Sequence, residues 1–263
     1  MESARPMFER LSHKMHARSA ALLVSLDNRL DRILQLWLLA AGLIATARLS
    51  FTPHVVPIAS LSTFASYMLL IVAPFASTLL ALRWFADADR QPQPLTRLAV
   101  IGRWRKVDRF EARRHPLYGT SGIMVSLLVG TMLNVPMRVF EYLAAMPPLP
   151  AVAPPWLSAL HFAMTFDAVV FSSLYMIAFV AALRRAPLFP RLLLAIWLGD
   201  LAMQLVTAQL VTSTGIVPPA VADALQHILT NNAKKVLISM ALWLPYLLLS
   251  ARVNVTYRQR VPN

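Results

Sequence analysis

Long apolar runs alternate along this chain with short stretches in which charge and proline collect, and that alternation predicts its elements. Six runs stand out, over residues 33–51, 58–82, 119–142, 157–183, 192–211 and 236–250. Most are close to the ~20 residues that an α-helix needs to cross about 30 Å of hydrocarbon. The runs are continuous and do not alternate apolar with polar, which favours helices over a barrel. The expectation is an all-α polytopic transmembrane helix bundle of about six spanning helices. Within 119–142, Gly122, Ser126 and Gly130 recur every four residues and would form one shallow groove on a helix. Grooves of small residues let a neighbouring backbone come close in a membrane. This run is therefore expected to be the central, groove-packed helix, its row continuing to Asn134 and Arg138 and opening at Pro136 into a polar outer end.

The connectors divide the chain further. Residues 1–32 read as a cytoplasmic amphipathic segment: Leu11, Met15, Leu22, Leu26, Leu30 and Ile33 share a face, suited to an anionic leaflet or to a simple extension of the first span. Residues 33–85 hold two spans, with Pro74 inside the second. Residues 86–118 form a basic connector, whose second half interleaves Ile101, Trp104, Val107 and Phe110 with Arg103, Arg105, Lys106 and Arg109, as in an interfacial basic helix. Residues 119–155 contribute the central span and a Pro-rich outer loop. Residues 156–263 contain the last three spans, the sixth either a short one bounded by Lys234 and Lys235 or one merged with a helix that begins after Pro219.

Composition agrees with this class. At 57% hydrophobic and 14% charged, the chain is too apolar for an ordinary soluble domain. A formal charge of +13 raises nucleic acid as a partner, but the basic residues flank the spans and no nucleic-acid motif accompanies them. With the N-terminus inside, all Lys and Arg except Arg48, Arg138, Lys234 and Lys235 fall on the cytoplasmic side. The bias sets both termini in the cytoplasm of a bacterial inner membrane. There is no cysteine, and the six histidines are too scattered to suggest a metal site. No metal or cofactor is expected. The expected partner is the bilayer, with anionic headgroups or an acidic protein at the basic surface.

The closing segment contains Pro245, Tyr246, Ser250, Arg252, Val253, Thr256 and Tyr257 in the pattern PYxxxSxRVxxTY. It resembles the end of an uncharacterised family of small bacterial inner-membrane proteins, whose last helix closes with P-Y, S-x-R-V and T-F. The likeness reaches back to about Trp156. It differs at Tyr257, where Phe is usual, and at Asn254, where Lys is common. It implies location and helical architecture and carries no reaction with it. On physical grounds Arg252 is placed to meet lipid phosphates, and Pro245 to bend the last helix.

Two acidic residues lie within spans. Asp167 and Asp200 both fall near the midplane at ~1.5 Å per residue, on helices expected to be antiparallel neighbours. Two carboxylates close together in a low dielectric do not both ionise readily, which is the chemistry of a proton relay. Gln204 and Thr207 share a helix face with Asp200. Asp167 needs a partner from another helix, with Arg138 or Arg48 as candidates, while Arg138 also sits three residues from Glu141 and forms a natural local pair. The same acids fit plain interhelical hydrogen bonding. No phosphate loop or nucleophile motif points to an enzyme. The leading expectation is a non-catalytic accessory or scaffold component that presents the basic loop. A proton- or cation-coupled transporter using Asp167 and Asp200 is the alternative, and an enzyme acting on a lipid-linked substrate comes third.

Overall fold

In the computed structural model the described residues are 21–51, 60–95, 98 and 102–263. The long helices are α1 (Leu30–Phe51), α2 (Ser60–Trp84), α4 (Ile123–Ala145), α5 (Pro155–Leu183), α6 (Phe189–Thr212) and α7 (Pro219–Leu249). Two shorter helices, α3 (Arg109–Arg114) and α8 (Ala251–Arg258), lie at the ends of the bundle. Strands β1 (Trp104–Lys106) and β2 (Arg260–Pro262) form a small antiparallel pair. The protein is an all-α polytopic bundle. Among the described residues five helices are long and apolar enough to cross a membrane, and six if α7 and α8 count as one bent span. Proline helps to start three of them: α5, α6 and α7 each carry it in the first two positions, where its missing N–H has no helical partner to lose.

The centre of the bundle is α5. It packs against α2, α4 and α6, while α7 packs on α6, and α1 on α2. It buries the largest share of its apolar stretch and α1 the smallest. The expectation that 119–142 is the central helix is thus corrected. So is its groove. Gly122 caps α4 from outside with a positive φ of 71°, Ser126 and Gly130 face outward, and a Cβ built on Gly130 meets nothing within 4 Å. The buried face is instead Met124, Leu128, Thr131, Val135 and Val139, whose large side chains fill the space against α5 and its neighbours. Nor does α4 open at Pro136, since the helix runs on to Ala145.

Other differences concern boundaries. Of the two readings of the sixth span the structure takes the merged one, a single 31-residue helix that starts at Pro219 with Lys234 and Lys235 inside it. Pro245 lies within that helix; the chain turns later, by 71°, at Ser250 between α7 and α8. The basic connector is no interfacial helix: β1 pairs Trp104 with Pro262 and Lys106 with Arg260, and α3 is six residues long. In the N-terminal segment, Leu11 and Met15 lie outside the described residues. Leu23, Leu30 and Leu34 are buried, whereas Leu22 is exposed.

The terminal motif works as a clamp. Tyr257 donates from its hydroxyl to Ala182 O at 2.9 Å and rests against Phe189. Complete burial pushes its phenol well above the usual range, so it stays a donor. Thr256 Oγ1 accepts from Gly119 N at 3.0 Å, and Arg252 donates to Ser121 Oγ at 2.7 Å, which fastens the start of α4. Arg258 donates to Asn254 Oδ1 and Leu247 O. Burial, with Arg191 and Arg260 nearby, lowers its pKa to about 10, and it remains charged at neutral pH. Tyr257→Phe leaves the Ala182 carbonyl without this donor at a buried site. The expected loss is about 1 to 3 kcal/mol, read as a lowered thermal midpoint in lipid.

Candidate functional site

Three spans meet at one charged cluster. Arg138 projects from α4 between the carboxylates of α5 and α6: Nη1 donates to Asp167 Oδ2 at 2.5 Å, and Nη2 to Asp200 Oδ2 at 2.5 Å. The planar fork of guanidinium makes this possible, because two parallel N–H groups can serve two acceptors at a fixed separation. Side-chain exposure is 13% for Arg138, 7% for Asp167 and 0% for Asp200, so water contributes little to holding these charges. The remaining support comes from the same helices. Tyr175 donates to Asp200 Oδ2 at 3.0 Å. Gln204 Nε2 reaches Asp200 Oδ1 at 3.3 Å and Asp167 Oδ1 at 3.5 Å. The guanidinium also lies over the rings of Phe171 and Tyr175, 5.4 and 5.9 Å from their centroids.

The helix geometry explains why these side chains converge. Asp167, Phe171 and Tyr175 are spaced by four along α5, as are Asp200 and Gln204 along α6, so each set lies on one face. The sequence places Asp167 and Asp200 at similar depths, and the structure joins them through Arg138. Arg48 is not a partner of either carboxylate and sits in the last turn of α1. The local pair expected between Arg138 and Glu141 does not form. Instead Glu141 accepts from Lys235 Nζ at 2.5 Å, tying α4 to α7. Tyr175 was not among the candidates, although its spacing from Asp167 was the available signal. Behind the cluster, Tyr142 bonds Thr165 at 2.7 Å and His161 Nε2 at 3.3 Å, linking α4 to α5 a second time.

A cavity of about 510 Å³ lies beside the cluster, between α4, α5 and α7. Arg138, Asp167 and Tyr175 line it; Asp200 is sealed behind them. Formally the cluster holds two carboxylates and one guanidinium, an excess of one negative charge. A buried charge without compensation is strongly unfavourable, so the arrangement calls for one further positive charge, a proton or a cation.

The basic surface is partly occupied with the protein itself. Arg105 pairs with Glu111, Arg109 stacks on Phe110, and Arg252, half-buried, donates to Ser121. The side chains of Arg103 and Lys106 are exposed. Among the described residues no group of His, Cys, Asp and Glu is arranged to hold a metal ion. Comparison with family models, with curated proteins and with solved structures found no match.

Proposed function

We propose that the protein is a proton- or cation-linked membrane transporter whose coupling site is the cluster of Arg138, Asp167 and Asp200. The observation that carries this reading is the excess negative charge of a buried cluster that forms the wall of a 510 Å³ cavity. A cluster that served only to hold helices together has no need of a cavity at its side or of an unmatched carboxylate. Binding and release of one positive charge at Asp167 changes the attraction that holds α4 to α5 and α6. A change at the site is thereby coupled to the arrangement of the helices.

The charge asymmetry of the connectors supports a bacterial inner membrane, with both termini in the cytoplasm. On that orientation the cavity lies in the half of the bundle towards the outer side, because its walls run to Ala145 at the far end of α4. A second reading, an accessory protein that meets anionic headgroups or an acidic partner, is supported by the exposed Arg103 and Lys106. It leaves the buried cluster without a role.

The test is charge movement after a pH jump, recorded from reconstituted vesicles on a solid support. Wild type is expected to give a transient current as the site gains or loses its proton, and Asp167→Asn and Asp200→Asn to give none. A wild-type trace no different from empty vesicles, or a current unchanged by both substitutions, removes the carrier reading.

A further inference from the structure

The wall of the cavity indicates what it holds. Leu133, Met137, Met164 and Ile228 make most of it apolar. Two acceptors on its lining residues are short of donors. Asn134 lines the cavity, and its buried Oδ1 has no hydrogen-bond partner among the described residues, although buried amide oxygens are nearly always satisfied. Asp167 Oδ1 receives only the long 3.5 Å bond from Gln204. The cationic groups at hand are already engaged: both terminal nitrogens of Arg138 are bonded to carboxylates, and Lys235 is paired with Glu141. An anionic ligand would therefore meet excess negative charge and cations that are already engaged. A ligand with N–H donors and a positive charge meets the opposite.

We propose that this cavity binds hydrophobic organic amines in their protonated form, the ammonium held by Asp167 and Asn134 Oδ1 and the hydrocarbon part against the apolar wall. This rests on the carrier reading above. It adds the substrate class and a direction of coupling. With the site empty, one proton balances the cluster; when the ammonium enters, it supplies that charge, and the proton leaves to solvent, so amine and proton exchange one for one. The route of entry is visible as well. Leu133 and Met137 line the cavity and are themselves exposed, 50% and 58%. The mouth therefore opens sideways, where lipid surrounds a spanning helix and where amphiphilic amines concentrate. Helices α4 and α7 do not pack closely there, and the pair Glu141 with Lys235 bridges them.

The experiment is titration calorimetry with the purified protein in lipid nanodiscs, using octylamine as probe and octanoate and octanol as controls, corrected with empty nanodiscs. Repeating it in buffers of different ionisation enthalpy counts protons. Wild type is expected to bind octylamine saturably with release of about one proton per site, and to bind neither control. Asn134→Leu removes the acceptor without touching the charged cluster, and Met137→Trp fills the cavity; each is expected to weaken binding about tenfold or more. Circular dichroism and the thermal midpoint confirm that both variants are folded. Octanoate binding as tightly as octylamine, or octylamine binding that neither substitution alters, overturns the proposal. Octylamine binding without a pH-jump current removes the carrier reading and keeps the site. A current without octylamine binding removes the substrate class alone.

Discussion

Arg138→Met is expected to be the most damaging single substitution in the bundle, with the thermal midpoint in lipid lowered further than by Asp167→Asn or Asp200→Asn. The reason is the sign of the charge left behind. Without the guanidinium, Asp167 and Asp200 face each other across α5 and α6 with no cation between them, at exposures of 7% and 0%. Breaking a buried ion pair by removing one partner costs about 3 to 5 kcal/mol, and here two carboxylates lose the same partner. Replacing one aspartate acts the other way on the charge: the cluster then holds one carboxylate and one guanidinium, and it is formally neutral. The hydrogen bonds of Asp200 with Tyr175 and Gln204 suffer, but no charge is stranded. Arg138→Lys belongs with the damaging changes, because a single ammonium on a flexible stem lacks the two-pronged fork that reaches both carboxylates. The triple variant Arg138→Met, Asp167→Asn, Asp200→Asn is expected to recover most of the loss. If Arg138→Met alone melts at or above the temperature of Asp200→Asn, charge balance is not what governs this cluster.

How much of this was legible in the sequence depended on the range of the interaction. Spanning helices follow from run length, because a stretch that must stay in hydrocarbon cannot interrupt itself with charge. The meeting of Asp167 and Asp200 follows from depth on antiparallel neighbours, which counting residues supplies. Arg138 was harder. Pro136 reads as the point where the helix opens into a polar outer end, which puts Arg138 near the outer surface and next to Glu141, but α4 continues to Ala145 and keeps Arg138 within the bundle. For α7 the sequence leaves two readings open, a short span and a helix that merges with it from Pro219. Lys234 and Lys235 read as a boundary, yet α7 passes through them and the Lys235 ammonium is met by Glu141 on α4.

The outward face of Gly130 and Ser126 shows a different limit. Small residues at a spacing of four state that a close approach is sterically available on that face; they do not state that a helix of the same chain takes it. Which face is buried was decided by the larger side chains, Met124, Leu128 and Val139, and by α5 acting as the hub. The pairing of β1 with β2 was out of reach for another reason. Two three-residue strands more than 150 positions apart carry no periodicity of their own that would announce their pairing.

The pair Glu141 with Lys235 yields the other large expected effect, because it bridges the two helices between which the cavity opens. The chain has no cysteine, so Glu141→Cys with Lys235→Cys places two unique thiols on α4 and α7. Their native side chains touch at 2.5 Å, and a short, cleavable thiol cross-linker is expected to join them. Residence times respond to the barrier for leaving, and a mouth held shut raises that barrier without changing the contacts inside. Radiolabelled octylamine loaded before cross-linking should therefore leave more slowly by about tenfold or more after dilution, and cleaving the linker should restore the original rate. Each single-cysteine variant, treated with the same reagent, controls for bulk at the mouth and is expected to release no more slowly than wild type. Release that stays fast in the cross-linked protein means that the amine does not pass between α4 and α7. It would then leave along the cavity to the end of α4 at Ala145, and the pair of Glu141 and Lys235 would join helices without gating them.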